Sequence, residues 1–183
     1  MDSLKPILRW ILIVAVIFAA ARTLSRNQGG PPSDAPAPAF EAKVLAQAAP
    51  FRLAEHRGRT VVLDFWATWC PPCQRTLPAL QKLHEQFAGT DVDIYGVNTD
   101  DGPDREQLVG QFLKTRRYTF PVLLGTGTIS QDYRVEAIPT LVIIRPDGNV
   151  ETAHVGLLDN DPDAIARAVT EMIESARSRT PAG

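Results

Sequence analysis

The chain has 183 residues, enough for one domain of ordinary size with some length to spare. A hydrophobic share of 44% and a charged share of 22% exclude wholesale disorder. With 19 basic against 21 acidic side chains, nothing is left over to neutralise a phosphate backbone, so nucleic acid is not expected as a partner. Two cysteines are too few for a disulfide scaffold or a four-cysteine zinc site.

In residues 1–24, Lys5 and Arg9 lead into an apolar run from Trp10 to Ala21, and Arg22 and Arg26 follow it. Twelve apolar residues are short for a membrane span. Counted from Ile7 to Leu24 the segment reaches eighteen, with Arg9 and Arg22 extending their charges to the interfaces and Trp10 in an interfacial belt. A single-pass membrane anchor is expected. A signal peptide cleaved near Ala19-Ala20-Ala21 is the alternative. A buried core helix fits poorly, because the run is apolar on every side. Residues 25–39 (SRNQGGPPSDAPAPA) hold a glycine pair and four prolines and show no apolar period. They read as an extended linker, and a linker favours an anchor over a cleaved leader.

Residues 40–183 form the domain. The run at 60–67 (TVVLDFWA) is β-branched and aromatic, as a central strand buried on both faces would be. Further strands are expected at 92–98, 121–124 and 140–145. The turn Pro146-Asp147-Gly148-Asn149 folds the chain back into an antiparallel partner at 150–155. Helical periods lie between them. One carries Leu77, Leu80, Leu83, His84 and Phe87, and another Leu108, Val109, Phe112 and Leu113. A last helix opens at Asp161-Pro162, a cap followed by proline at the first helical position. The order predicts an α/β fold, a mixed sheet with helices on both faces.

The chemistry sits after the first of these strands, in Trp69-Cys70-Pro71-Pro72-Cys73. With Cys70 as helix cap and Cys73 as the third helical residue, both side chains share one face within reach of a disulfide. The positive end of the helix favours a thiolate at Cys70, the expected attacking group. Cys73, one turn inside, suits a resolving thiol. Zinc would need two more ligands, and His56, His84 and His154 are not spaced as a metal pair. A purely structural bridge over so small a loop adds little stability. A cycling dithiol, a redox-active disulfide, is the better account.

VVLDFWATWCPPCQ, Pro78 and Ala137-Ile138-Pro139-Thr140 together resemble the thioredoxin superfamily. The lead-in Phe51-Arg52-Leu53 and Arg57-Gly58-Arg59, with an inserted helix and strand at about 104–124, is similar to its membrane-tethered TlpA and ResA type. The resemblance implies a thioredoxin-like fold and exchange of disulfides with protein thiols outside the cytoplasm, often in cytochrome c maturation or thiol maintenance. It implies a cis bond before Pro139, facing the cysteine pair, with the Ile138 backbone left free to pair with an extended substrate. Trp69, directly before Cys70, is the expected surface contact. Asp64, six residues before Cys70, matches the buried acid of thioredoxin. An acid among Val61, Val62, Leu63, Phe65 and Trp66 is costly to ionise, which raises its pKa and lets it take the proton of Cys73.

Two positions depart from these relatives. Thioredoxin has a lysine near its acid where this chain has Gly96, and ResA-type proteins commonly have an acid where this chain has Thr76. No flavin or nicotinamide fingerprint occurs, so no cofactor is expected and electrons would come from an integral-membrane donor. The placement expected is the cytoplasmic membrane, with the domain in the periplasm or otherwise outside the cytoplasm. A reductant is expected from the lack of any basic residue between the cysteines and from two prolines that remove N–H donors. An oxidase or isomerase is the alternative direction. A tethered module that holds Cu(I) or a partner without turnover is the rival from another class.

Overall fold

The computed structural model describes Trp10, Ile13 and residues 29–179. The expected anchor at 1–24 therefore lies outside the described residues, apart from Trp10 and Ile13, both exposed. Among the described residues no helix is long and apolar enough to cross a membrane.

Strand β1 (Glu41–Val44) and the two-residue β2 (Phe51–Arg52) precede a 3₁₀ turn at Leu53–His56. There follow β3 (Thr60–Trp66), α1 (Pro71–Gln86), β4 (Val92–Asn98), α2 (Arg105–Arg116) and β5 (Val122–Leu124). The chain then forms α3 (Gly127–Asp132), β6 (Thr140–Ile144), β7 (Val150–Val155) and α4 (Pro162–Ser178). One seven-stranded sheet runs β2-β1-β5-β4-β3-β6-β7. The pairs β3–β4 and β4–β5 are parallel, and β3–β6, β6–β7, β1–β5 and β1–β2 antiparallel. The mixed sheet expected from the element order is present.

Every residue of β3 is buried, as its apolar run predicts for a strand covered on both faces. Val62 and Trp66 point into the larger core, with Cys73, Leu77, Leu83, Ile165 and Val169 from α1 and α4. Val61, Leu63 and Phe65 point into the second, with Ile129 and Tyr133. Asp161 caps α4 by accepting from the N–H groups of Asp163 and Ala164, and Pro162 follows at a position whose N–H is not needed.

The structure adds three elements to the sequence reading. Strands β1 and β2 extend the sheet beyond β5, and α3 covers the second face. Among the described residues that face has one short α-helix besides the 3₁₀ turn carrying Leu53, and Ala37 and Phe40 add to its cover. Residues 29–39, the described part of the expected linker, lie against the domain. The N–H of Gly30 donates to the Arg134 carbonyl, Asp34 and Ala35 exchange hydrogen bonds with Val150, and Pro36 bridges to Asn149. Tyr133 donates its hydroxyl to the Pro38 carbonyl at 2.9 Å, and Arg145 pairs with Asp34 at 2.6 Å. Proline carbonyls remain acceptors, so a proline-rich segment with no core of its own is held by donors from elsewhere in the chain.

Candidate active site

The turn from β3 into α1 brings the two cysteines together. Cys70 holds an extended conformation at the cap, with φ −93° and ψ 103°, and Pro71 and Pro72 open the helix. Cys70 and Cys73 form a disulfide across a Cα–Cα distance of 5.2 Å. The Cys73 N–H points at Cys70 Sγ from 3.2 Å, the one donor of the first turn that the two prolines leave in place. Cys73 is wholly enclosed and Cys70 nearly so, while the neighbouring Trp69 is 67% exposed. Trp66 points inward and is packing only. Its indole lies against Phe112 at 5.5 Å and fills the space beside Gly96, where a Cβ would come within 2.7 Å of Trp66 Nε1. Gly96 is therefore required for Trp66, and no lysine fits there.

Ile138 and Pro139 meet the pair from the start of β6. The bond between them is cis, as the resemblance implied. The Ile138 carbonyl oxygen lies 3.7 Å from Cys70 Sγ. The loop is fixed from both sides, because Thr140 donates its hydroxyl to the Ala137 carbonyl at 2.6 Å and the Gly156 N–H donates to the Pro139 carbonyl at 2.8 Å. The N–H of Ile138 has no partner among the described residues. A rim results in which an unpaired backbone amide, an exposed indole and the cysteine sulfur lie side by side.

Asp64 lies behind the pair, on the face of β3 that carries Val62 and Trp66. Its strand neighbours are Gly96 and Leu141, neither of them charged. Burial pushes the carboxyl up to about 7, opposed only by the hydroxyl of Thr76. Thr76 Oγ1 is 3.5 Å from Asp64 Oδ2 and 2.9 Å from the Cys73 carbonyl oxygen. A cavity of about 20 Å³ adjoins Asp64, Thr76, Pro139, Leu141, Gly156 and Leu158. That exceeds the roughly 10–15 Å³ one water requires.

One group in the neighbourhood escapes sequence reasoning. Asp100, in the loop after β4, is buried and accepts from the Thr68 N–H at 2.8 Å, the Thr68 hydroxyl at 2.6 Å and the Asn98 amide at 2.6 Å. Gln74 donates to the Thr68 carbonyl at 2.7 Å. These bonds tie down the loop that presents Trp69 and Cys70. A hint lies in the placement of Asp100 just past the carboxyl end of a central strand, where polar residues of open α/β sheets gather around sites. The three histidines stay outside the site. His56 pairs with Asp93 at 2.8 Å and stacks on Phe51, while His84 and His154 are half-buried elsewhere.

A thioredoxin-like fold with a cysteine pair at the strand-to-helix turn and a cis proline opposite it defines the class of thiol–disulfide oxidoreductases. The chain belongs to the AhpC/TSA family, whose sequence profile matches residues 34–153. It is 32% identical over 159 residues to the thioredoxin-like protein YneN of Bacillus subtilis, covering 85% of this chain and 92% of that one. It is 31% identical to the thiol-disulfide oxidoreductase ResA of Oceanobacillus iheyensis, over 82% of this chain and 79% of ResA. Among solved structures it superposes on a putative thiol:disulfide interchange protein DsbE from Chlorobium tepidum with a TM-score of 0.68 and 26% identity, covering 79% of this chain and 97% of the other. StoA from Bacillus subtilis matches with a TM-score of 0.62 and 26% identity, over 74% of this chain and 96% of StoA.

Proposed function

We propose that the protein reduces disulfides of protein substrates outside the cytoplasm, held to the cytoplasmic membrane by residues 1–24 and recharged by an integral-membrane donor. The observation that carries the exchange reading is the Cys70 sulfur beside the Ile138 carbonyl at 3.7 Å, with the exposed Trp69 at the same rim. An extended substrate would pair with the Ile138 backbone, next to the sulfur that attacks it. Cys70, as thiolate, attacks one substrate sulfur, and the other leaves as a thiol after taking a proton from water. A mixed disulfide joins Cys70 to the substrate. Cys73 then gives its proton to Asp64 and attacks Cys70 Sγ. The bond from Cys70 to the substrate breaks, and the second substrate thiolate is protonated by solvent. Two electrons have moved from the dithiol to the substrate, and Asp64 returns its proton to solvent.

The direction rests on how little stabilises a Cys70 thiolate. Only the Cys73 N–H remains to it in the first turn, and no basic residue stands between the cysteines. A thiol of ordinary acidity leaves its disulfide stable and its dithiol reducing. The expected potential is near that of thioredoxin, about −270 mV, far from the strong oxidants at about −120 mV. Equilibration with glutathione buffers measures it. A potential above roughly −180 mV would make the protein an oxidase or isomerase. The substrate and pathway, cytochrome c maturation or general thiol maintenance, are tested by capturing mixed disulfides on a Cys73→Ser variant in the native host. Recovery of the domain in soluble extracts, free of membranes, would remove the anchor.

A further inference from the structure

We propose that Thr76 is a positioning residue for the resolving step, a hydroxyl that turns between the Asp64 carboxyl and the Cys73 carbonyl as the carboxyl changes charge. The inference rests on the reading of Asp64 as the proton acceptor of Cys73, and it assigns how that acceptor is governed.

The geometry supplies one proton for two acceptors. A threonine hydroxyl donates a single hydrogen and accepts through its lone pairs. Thr76 Oγ1 lies 2.9 Å from the carbonyl oxygen of Cys73, three residues back on α1, and 3.5 Å from Asp64 Oδ2. With Asp64 neutral, the acid can donate to Thr76 Oγ1 while the hydroxyl donates to Cys73. With Asp64 ionised, the carboxylate is an acceptor only, and Thr76 is its sole donor among the described side chains. The hydroxyl then turns toward Oδ2 and releases the Cys73 carbonyl. The carboxyl and the first turn of α1 are coupled by that rotation.

Among the described residues no other side chain beside Asp64 can donate to it, and the adjoining cavity has room for about one water. β4 faces it with Gly96, β6 with Leu141, α1 with Thr76, Ala79 and Leu80, and α4 with Ile165 and Val169. Gly156 and Leu158 close the side beyond β7. None of these titrates. His154 on β7 is separated from Asp64 by Leu141 in the sheet register. Cys73, one turn before Thr76 on α1, is the titratable partner.

The test is the titration of the Asp64 carboxyl in the oxidised protein, followed by carbon-13 NMR in wild type, Thr76→Val and Thr76→Ser. The same variants are examined for the pH profile of mixed-disulfide resolution. Loss of a donor to a buried carboxylate should raise the Asp64 midpoint in Thr76→Val by about one pH unit and move the resolution profile with it. Thr76→Ser should restore both, which a merely structural role for the methyl group would not predict. Should Thr76→Val not fold, Thr76→Ala removes the hydroxyl without adding bulk and carries the same comparison. An unchanged Asp64 midpoint on loss of the hydroxyl overturns the inference. A resolution profile unchanged in Asp64→Asn would instead overturn the proton-acceptor reading beneath it, so the two failures are distinguishable.

Discussion

Asp64 faces Gly96 across the parallel β3–β4 pair, and the indole of Trp66 fills the space that a side chain at Gly96 would need. The acid is therefore kept without a cation by packing. Burial raises its pKa from 3.8 to about 7. A carboxyl raised on folding favours the folded state while neutral, and that advantage is lost as pH climbs from the unfolded value through the folded one. Asp64→Asn should thus stabilise the protein more at about pH 8 than at about pH 4. The three-unit interval corresponds to a difference of about 4 kcal/mol between the two pH values. Guanidinium unfolding of the oxidised protein at both pH values measures it, and an equal effect at each would show that ionisation of Asp64 carries no penalty.

The roles of the cysteines differ in a way alkylation can read. Cys73 is wholly enclosed and Cys70 opens toward the Ile138 rim. In the reduced protein Cys70 should react first with iodoacetamide. Cys70→Ser should abolish exchange, and Cys73→Ser should accumulate a mixed disulfide that does not resolve. Faster labelling of Cys73 would reverse the assignment.

Much of this site was legible because it is local. The spacing of Cys70 and Cys73 needs only a helix to bring them together, and the apolar neighbours of Asp64 already imply its burial. Pro139 was legible only through resemblance, since a proline at the first residue of a strand is otherwise unremarkable. What escaped is short or non-local. β1 carries just two inward residues, Ala42 and Val44, and α3 has six residues in all. Residues 29–39 have no apolar period, and the groups that hold them, Tyr133, Arg145 and Val150, are far along the chain.

Asp100 belongs to the same non-local class and gives a third prediction. Asp100→Ala leaves the Thr68 N–H without its acceptor in a buried loop, at an expected cost of about 1–3 kcal/mol in denaturant unfolding. The loop carrying Trp69 should loosen, slowing reaction with protein substrates more than reaction with a small disulfide. Equal slowing toward both would assign Asp100 to stability alone.

A fourth concerns the strap formed by residues 29–39. Arg145 is buried with Glu151 and also reaches the largely exposed Asp34. Arg145→Met should be destabilising, by about 1–3 kcal/mol, because it removes a charged partner of buried Glu151, which keeps Ser175 at 2.9 Å and Arg179 at 3.4 Å. Asp34→Ala should cost no more than about 1 kcal/mol yet increase protease cleavage within residues 29–39. A strap equally resistant in both proteins would show that the ion pair does not hold it.

The course of that strap also decides which way the molecule faces. Gly29 lies against Arg134 and Glu136, two residues from Ile138, whereas Asp34 and Ala37 reach Val150 and Gly148 at the opposite end of the sheet. The polypeptide thus enters the domain at the end of the sheet where β6 begins, the end that carries Ile138, and travels away from it. If the chain upstream of Gly29 is the proposed tether, its pull acts on the end of the sheet that carries Ile138, and the reactive rim would be turned toward the point of attachment. On that reading the proposed membrane donor would meet Cys70 at close quarters, while a large soluble substrate would have to approach from the side.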